Sequence, residues 1–390
     1  MVKKREHYLA FGTPDFTDAE IDAVSRVMRS GWVGMGKETL SFEKELSEYI
    51  GAPEVITVNS CTSALFLALL AEGVTAGDEV IVPSLTWCAT ANAALYLGAT
   101  PVFCDIDPLS MCITPDSIAA KLTERTKAVI VVHYGGYGVD VAALRESLPT
   151  HIAIIEDAAH ALGAQYPNGG RVGTSGNSVC FSFYANKNLS TADGGAIALF
   201  DANKAERLRS LRMNGMDSNA WSRYTNPSTL TTCGVAELGY KMNFTDLQAA
   251  IGRVQLTRLD EMAMTRKHIA EHYKHRMDSL NIYAPFQHGS FDDKHARHLL
   301  VAQFERTQTG ISRDELLFNL RQMNVGASIH YKPLHLQKLY VRALPPALPV
   351  TENVAEKILT LPISAKMTLD DVDYVVELLA TLLKQSKEIP

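Results

Sequence analysis

The stretch VITVNSCTSALFLALL (residues 55–70) decides the fold of this 390-residue chain, because a β-rich apolar run passes directly into an apolar helix. Further β-rich runs follow as far as about residue 200, and helical segments such as DVAALRESL lie between several of them. The β-rich runs are VITVNS, EVIVPS, PVFCDID, AVIVVHY, IAIIED, VCFSFY and AIALF. Such alternation predicts an α/β fold, with a large domain built on a mainly parallel sheet flanked by helices.

The pattern changes after residue 245. Residues 246–261 (DLQAAIGRVQLTRLDE) carry apolar residues at helical spacing and lead into a charged helical stretch. Strand-like HLLVAQF and helix-like SRDELLFNLRQM and DDVDYVVELLATLLKQ follow. Because 390 residues exceed the size at which one core usually stops growing, we predict two domains. The large domain spans 1–260, including the N-terminal segment, and a smaller C-terminal α/β domain spans 261–390.

Composition and charge exclude several classes of function. The net charge of −6 and the absence of a dense Lys/Arg face argue against a nucleic-acid partner. The N-terminus lacks the apolar core of a signal peptide, and no segment offers a long uncharged span, so we expect a cytoplasmic protein without membrane contact. The six cysteines lack Cys-x-x-Cys spacing and are expected to be reduced and buried, with no metal site.

The segment SFYANKNLSTADGG (residues 182–195) places Lys187 directly after an apolar strand and before a Gly-Gly pair. Because glycine has no Cβ, this pair allows close backbone approach, and Lys187 is expected in a turn over the sheet edge. Desolvation there lowers the pKa of a lysine, so that its neutral amine condenses with an aldehyde. The alternative for an isolated lysine is a solvated loop residue, and the neighbouring motifs argue against it.

The segment IAIIEDAAHALG (residues 152–163) runs an apolar strand into Glu156 and Asp157, followed by small residues and His160. A carboxylate at the end of a buried strand pairs well with the protonated ring nitrogen of pyridoxal phosphate (PLP), and Asp157 is our candidate for that role. The alternative is an aspartate that caps the following helix. His160 either packs beside the cofactor ring or is an ordinary core histidine.

Two earlier segments carry hydroxyl and aromatic residues at strand ends. Thr62 and Ser63 open an apolar helix, where backbone N–H groups, hydroxyls and the helix dipole commonly hold a phosphate, and Ser182 is a third hydroxyl candidate. A helix cap is the alternative. Trp87, in PSLTWCATANAAL, is placed to stack on the pyridine ring, with a core aromatic as the alternative.

Seven segments, taken in order, resemble those of the sugar-nucleotide aminotransferases, a branch of the fold-type I PLP enzymes. They are SCTSAL, PSLTW, VHYGG, EDAAHALG, SFYANKN with ADGG, LGYKMNFTDLQAAIG and SIHYKPLHLQKLY. The resemblance covers nearly the whole chain, and the motifs are specific in combination. The PSLTW, VHYGG and GYKMN segments most resemble enzymes that aminate C-4 of a 4-keto sugar nucleotide, including those that make 4-amino-4-deoxy-L-arabinose.

The resemblance implies a role for each matching residue. Lys187 matches the Schiff-base lysine and Asp157 the partner of the ring nitrogen. The remaining implied cofactor contacts are Trp87 and His160 at the ring and Thr62, Ser63 and Ser182 at the phosphate. In the family the neighbouring subunit completes each site, which implies a homodimer in which Lys241 and Asn243 reach the partner's phosphate. The implied substrate residues are Trp221, Arg223, Tyr224, His330 and His335.

Three positions depart from the family pattern. Many relatives carry Gly where this chain has Cys61, Glu where it has Asp193, and His where it has Asn214. The first two are small changes that leave PLP binding intact. The third lies near the implied sugar site, so the exact substrate stays open. Relatives that remove a hydroxyl group carry His at the position of Lys187, which argues against that chemistry.

The sequence therefore predicts a PLP-dependent aminotransferase that moves an amino group from L-glutamate to a keto sugar nucleotide. A 3-keto sugar nucleotide or a keto-cyclitol is the alternative acceptor. A nucleotide-binding oxidoreductase fails because no G-x-G-x-x-G opens a helix after a strand, and GGRVGTSG (residues 169–176) has loop spacing. A catalytically silent regulator would be expected to lose Lys187 or Asp157, and the chain retains both.

Overall fold

The computed structural model describes residues 2–216, 234–341 and 346–387. Three predicted substrate residues, Trp221, Arg223 and Tyr224, lie outside these ranges, as does Cys233. The other five cysteines are free thiols, and Cys104, Cys112 and Cys180 are buried as expected.

A seven-stranded sheet forms the centre of the large domain and confirms the α/β prediction. Its strands are β1 (Glu54–Val58), β2 (Glu79–Pro83), β3 (Thr100–Cys104), β4 (Thr126–Val132), β5 (Ala153–Asp157), β6 (Ser178–Ser182) and β7 (Gly195–Leu199). Each strand falls within or next to one of the seven β-rich runs. The spatial order is β1-β7-β6-β5-β4-β2-β3, and β7 alone runs antiparallel to its neighbours. The carboxyl ends of the other six strands therefore lie along the same edge of the sheet.

Helices cover both faces of the sheet. Those of the large domain are α1 (Asp18–Ser30), α2 (Lys37–Ile50), α3 (Cys61–Ala71), α4 (Cys88–Tyr96), α5 (Pro115–Ala119), α6 (Val141–Ser147), α7 (Ala202–Leu211) and α8 (Asp246–Thr257). Successive strand residues point to opposite faces, so Val55 joins the apolar cluster under α2 while Ile56 joins the cluster under α3. One layer of apolar core on each side of the sheet holds the strand ends rigidly.

Helix α3 is apolar on all sides and packs against β6 and β7 under the middle of the sheet. A helix without a polar face is stable only when buried, and residues 63–69 are buried throughout. Ser60 begins the helix as its N-cap, with its side chain accepting a hydrogen bond from Ser63 N at 3.2 Å. Burial thus fixes where the helix N-terminus points.

The C-terminal part forms a smaller α/β unit with its own apolar cluster. Its elements are α9 (Leu259–Ser279), β8 (Leu300–Gln303), α10 (Arg306–Thr309), α11 (Arg313–Gln322), α12 (Pro349–Lys357), β9 (Ile358–Leu361) and α13 (Leu369–Lys387). Leu259 packs in the large-domain core whereas Ile269 packs in the smaller cluster, so α9 links both. The N-terminal segment, which we grouped with residues 1–260, also contributes Val2 and Leu9 to the smaller cluster.

Candidate active site

A cavity of about 480 Å³ lies where the carboxyl ends of the parallel strands meet. Its walls come from loops that follow β1, β2, β4, β5 and β6, joined by residues of the C-terminal part. The residues predicted from the sequence that line it are Thr62, Trp87, Asp157, His160, Ser182, Lys187 and His330. Four predicted residues do not line it: Ser63, Lys241, Asn243 and His335.

Lys187 stands in a turn directly beyond β6, as predicted. Its N–H donates to Tyr184 O at 2.9 Å, and Phe183 N donates to Gly194 O at 2.9 Å, which ties the turn to the Gly-Gly pair. Burial lowers the pKa of Lys187 to about 8, although the nearby Asp157 acts in the opposite direction. The ammonium form still predominates at pH 7, but the neutral, nucleophilic amine is far more populated than in an ordinary lysine.

Asp157 is the last residue of β5 and its carboxylate is buried at the cavity. One oxygen accepts from Thr90 Oγ1 at 2.8 Å and the other from Ala159 N at 3.1 Å. Residues 158–175 form turns and no helix, so the helix-cap alternative is wrong. Burial raises the pKa of Asp157 against the effect of these hydrogen bonds, which means that a cation at this position would be strongly favoured.

The residue before Asp157 anchors the strand from the opposite face. Glu156 is fully buried and accepts hydrogen bonds from His133 Nε2 at 2.8 Å, Tyr166 Oη at 2.7 Å and Asn177 Nδ2 at 2.8 Å. Burial opposes its charge, but these donors lower the pKa of Glu156 overall. A satisfied buried network of this kind holds the end of β5, and with it Asp157, in one position.

The N-terminus of α3 offers unpaired backbone N–H groups to the cavity. Ser60 satisfies the N–H groups of Ser63 and Ala64, while those of Cys61 and Thr62 meet no acceptor in the parts of the chain that the structure describes. Both Cys61 and Thr62 line the cavity. Free N–H groups at the positive end of a helix dipole bind anions, and phosphate above all.

Gly195 makes this approach possible. A Cβ at this position would lie 2.7 Å from Cys61 N and 2.7 Å from Phe181 O, a separation that real Cβ atoms do not adopt. The start of α3 therefore crosses directly over the backbone of β7. The close approach that we predicted for the Gly-Gly pair is present, and it serves the helix N-terminus.

Ser63, predicted as a phosphate contact, does not line the cavity. Its hydroxyl donates to Asn59 Oδ1 at 2.6 Å and lies 3.0 Å from Ser60 Oγ, so it belongs to the helix cap. Thr62, the residue before Ser63, lines the cavity. Ser182 lies at the cavity with its hydroxyl accepting from Tyr184 N at 3.4 Å.

Aromatic side chains form the outer wall of the cavity. The side chain of Trp87 is 59% exposed, which argues against the core alternative, and its ring lies 5.8 Å from that of Tyr331. His160 Nδ1 accepts from Gly135 N at 3.2 Å, so its Nε2 carries the proton and donates to Tyr331 Oη at 3.1 Å. Burial lowers the pKa of His160 well below its ordinary value, and the ring is neutral.

The two histidines predicted for the substrate have different surroundings. His330 lines the cavity, and its Nδ1 lies 2.9 Å from Thr360 Oγ1. His335 is buried away from it, with Nδ1 2.6 Å from Ser84 Oγ and Nε2 3.2 Å from Glu352. His335 thus links the C-terminal part to the loop after β2, a contact that sequence spacing does not reveal.

Lys241 and Asn243 lie outside the cavity of their own chain. Lys241 is exposed, and its Nζ donates to Asn243 Oδ1; among the described residues it meets no carboxylate. Thr245 is the N-cap of α8, in a capping box with Gln248, and Asp246 is the first residue of the helix. Asp246 instead caps another helix, accepting from Gly36 N and Thr39 N at the start of α2.

The three departures from the family pattern fall in different places. Cys61 and Asp193 line the cavity, and burial raises the pKa of the Cys61 thiol well above its ordinary value, so the thiol is neutral. Asn214 follows α7 with φ +64°, a left-handed conformation that asparagine tolerates better than most residues.

Sequence reasoning missed three residues around the cavity. Tyr331 follows the predicted His330 directly and lines the cavity. Thr90 Oγ1 donates a hydrogen bond to the carboxylate of Asp157. The sequence feature that could have identified Thr90 is its position about one helical turn after Trp87. His298 Nε2 lies 3.3 Å from Lys187 Nζ, and nothing in the apolar run HLLVAQF marked it as part of the site.

The residues present fit PLP on the evidence of their own geometry. A lysine whose amine is desolvated, a buried carboxylate with a raised pKa and a helix N-terminus with unpaired N–H groups all meet at one cavity. These groups match the aldehyde, the protonated ring nitrogen and the phosphate of that cofactor. Lys187, Asp157 and Thr62 would hold it at these three points.

Comparisons with known proteins agree with this chemistry. The chain matches the family model of the DegT/DnrJ/EryC1/StrS aminotransferases over residues 14–380. It is 40% identical to the spore coat polysaccharide biosynthesis protein SpsC of Bacillus subtilis (strain 168), covering 98% of this chain and 99% of that protein.

Solved structures are similar over nearly the whole chain. The PMP-form of the putative sugar aminotransferase Spr1654 from Streptococcus pneumoniae has a TM-score of 0.88 at 29% identity, covering 96% of this chain and 99% of its own. The PLP-form of the same protein has a TM-score of 0.87 at 28% identity, covering 97% and 100%. DesI, solved in the presence of its TDP-sugar product, has a TM-score of 0.88 at 27% identity, covering 99% and 96%.

Fold and site together define a PLP-dependent aminotransferase of fold type I. More specifically, the chain belongs to the DegT/DnrJ/EryC1/StrS aminotransferase family and is a sugar aminotransferase. No helix in the described ranges is long and apolar enough to cross a membrane.

Proposed function

We propose that this enzyme transfers the amino group of L-glutamate to C-4 of a 4-keto sugar nucleotide, with Lys187 as the catalytic residue. The observation that carries the proposal is the desolvated Lys187 amine, with its pKa lowered to about 8, in the same cavity as the buried Asp157. When bound, PLP carries the amino group between donor and acceptor and delocalises the electrons released at the donor's α-carbon. The protein supplies the groups that orient the reactants and move protons.

Lys187 would hold the cofactor covalently, through Nζ at the aldehyde. The same Nζ would move the proton at the donor's α-carbon, acting first as base and then as acid. A pKa near 8 suits both steps, because the amine and the ammonium are then both populated near neutral pH. The same residue performs the reverse steps on the sugar.

Asp157 would hold the cofactor at its protonated ring nitrogen. Its two oxygens are oriented by Thr90 and Ala159, and the buried Glu156 network holds the strand beneath it. A buried carboxylate is costly when unpaired, so pairing with a ring cation stabilises both groups. Thr62, the N–H groups at the start of α3 and Ser182 would hold the phosphate, and Trp87 would stack on the ring.

The neighbouring subunit of a homodimer completes each site in this proposal. Lys241 is an exposed cation beside the ordered start of α8, and Asn243 is its hydrogen-bond partner in its own chain. A phosphate bound at α3 of the second subunit would supply the missing anion. The resemblance of the GYKMN segment to the family supports this role for Lys241 and Asn243.

The acceptor is the least constrained part of the proposal. The motifs that resemble the C-4 aminating enzymes favour a 4-keto sugar nucleotide, and the similarity to DesI, which was solved with a TDP-sugar product, supports a nucleotide-linked sugar. His330 at the cavity wall is our candidate for a sugar contact; His335 does not reach that wall. Trp221, Arg223 and Tyr224 remain predicted substrate residues.

Borohydride labelling tests the assignment of Lys187. Reduction of the purified, yellow protein should fix the cofactor on Lys187, as read by mass spectrometry of peptides, whereas Lys187→Ala should bind PLP through the phosphate site but lose transfer by several orders of magnitude. Labelling of another lysine would overturn the proposal. A screen of 4-keto and 3-keto sugar nucleotides and keto-cyclitols, with L-glutamate as donor, then identifies the acceptor.

A further inference from the structure

A buried histidine outside the predicted site lies beside the reactive lysine. His298 stands two residues before β8, is 3% exposed, and has its Nε2 3.3 Å from Lys187 Nζ. Its second ring nitrogen, Nδ1, is buried and has no hydrogen-bond partner in the described ranges of the chain. Leaving a buried polar atom unpaired costs stability, which is most often accepted where a residue has a functional contact to make.

The backbone around His298 is fixed independently of Lys187. The N–H groups of Ala296 and Leu299 donate to the carbonyls of the Gly135–Gly136 turn, both at 3.0 Å. Asn188 Nδ2 donates to Ala296 O at 2.8 Å, so the segment is also tied to the residue that follows Lys187. The His298 imidazole is therefore positioned beside Lys187 by backbone contacts between the C-terminal part and the rest of the chain.

Glycine is required at this junction. Gly136 has φ +109°, and a Cβ on it would lie 3.0 Å from Arg297 N and 3.1 Å from His160 O. Arg297 itself is left-handed, with φ +51°, and its guanidinium donates to three backbone carbonyls. A turn held on both sides leaves the His298 ring little freedom to move away from Lys187.

The surrounding charges keep the ring neutral. Burial lowers the pKa of His298 well below its ordinary value, and the positive charges of Lys187 and Arg266 add to this effect. The His160 ring, neutral for the same reason, lies 4.6 Å from that of His298. The titratable or charged groups that influence the lysine–histidine pair are Cys61, Asp157, His160, Arg266 and His330.

We propose that neutral His298 is a positioning residue for Lys187, accepting a hydrogen bond from Nζ at its Nε2 and holding the amine at the cavity wall whenever it is not bonded to the cofactor. The inference rests on the proposed function of Lys187. A lysine side chain has four rotatable bonds, so an amine released by the donor would otherwise sample many positions. Holding it within reach of the reacting carbon supplies part of the orientation on which proton transfer depends.

Titration of Lys187 in the cofactor-free protein tests the hydrogen bond without measuring turnover. The rate at which acetic anhydride labels Lys187 is followed by mass spectrometry from about pH 6 to pH 11, bracketing ordinary lysine pKa values. The wild-type midpoint is expected at about 8. An acceptor stabilises the ammonium form, so His298→Leu should lower the midpoint by about one unit, whereas His298→Gln, which retains an acceptor oxygen, should keep it within about 0.3 unit.

A midpoint that is unchanged or raised in His298→Leu, or that falls equally in both variants, overturns the inference. If the leucine variant does not fold, ¹⁵N NMR of the wild-type protein decides, with the resonances assigned by their loss in His298→Gln. Below pH 8 the proposal requires the tautomer protonated at Nδ1, and a proton on Nε2 contradicts it.

Kinetics of the holoenzyme provide the second readout. His298→Leu should lower kcat by about 10-fold or more with little change in the KM for the donor, and His298→Gln should recover part of the loss. Borohydride labelling at a lysine other than Lys187 would overturn the proposed function itself. Labelling at Lys187, together with identical midpoints in all three proteins, would overturn only the role of His298.

Discussion

At the scale of the residue, the environment and not the residue type decides what each carboxylate does. Glu156 and Asp157 are adjacent on β5 and alternate across the sheet. Glu156 meets four side-chain donors, which lower its pKa and make it an anchor. Among the described residues, the Asp157 carboxylate accepts hydrogen bonds from Thr90 and a backbone N–H, and burial raises its pKa. The Asp157 carboxylate is therefore the one available to a cationic ligand.

Replacing Asp157 by Asn tests its pairing with the ring nitrogen. The amide still accepts from Ala159 N, so the fold should remain, but it cannot hold a proton on the ring. We expect kcat to fall by at least about 100-fold, the lower range for loss of a charged catalytic group, while circular dichroism is unchanged. Thr90→Val is the matched control, because it removes one hydrogen bond and keeps the charge. Turnover near the wild-type level in Asp157→Asn would favour a structural role.

At the scale of the element, a helix N-terminus and a glycine act together. Residues 63–69 of helix α3 are buried, so its start is fixed by packing, and Gly195 on β7 lets that start approach the sheet closely. The unpaired N–H groups of Cys61 and Thr62 are thereby held at the cavity. The anion pocket at the N-terminus of α3 thus depends on Gly195, which would not itself contact the anion.

Replacing Gly195 by Ala should disturb cofactor binding through the position of α3. The new methyl would lie 2.7 Å from Cys61 N and from Phe181 O, so the helix start must move. Overpacking of this kind costs about 1–3 kcal/mol, and we expect a lower melting temperature and weaker PLP binding in a fluorescence titration. Gly34→Ala is the control, since a Cβ there meets nothing within 4 Å. Equal PLP affinity in both variants would contradict this role.

At the scale of the whole molecule, the proposed homodimer would cover several groups that are exposed in the single chain. Lys241 has no carboxylate partner among the described residues. Large apolar side chains are exposed in the same region, with Leu238 83% and Val235 69% exposed. Exposed apolar surface beside a cation without a carboxylate partner among the described residues suits the proposed subunit interface.

Mixing two inactive variants tests whether subunits share their sites. Lys187→Ala lacks the reactive amine, and Lys241→Glu combined with Asn243→Ala lacks the groups proposed to reach the partner. A mixed dimer contains one intact site, so subunit exchange should restore about a quarter of the wild-type activity if about half of the dimers are mixed. The measurement is transfer activity before and after exchange, with heterodimers verified by differently tagged chains. Proven heterodimers without activity would mean that each site is built from one chain.

Local patterns in the sequence determined the seven strands, the helix that starts at Cys61, and the placement of Lys187 and Asp157 at strand ends. Burial and backbone sterics act over a few residues, so apolar periodicity and a Gly-Gly pair predict such features directly. Only the tertiary structure decided that Ser63 turns into its own helix cap, that Asp246 caps α2 instead of α8, and that His298 meets Lys187. The last two contacts join residues 207 and 111 positions apart, and such pairings depend on how the two parts of the chain pack, which no local pattern encodes.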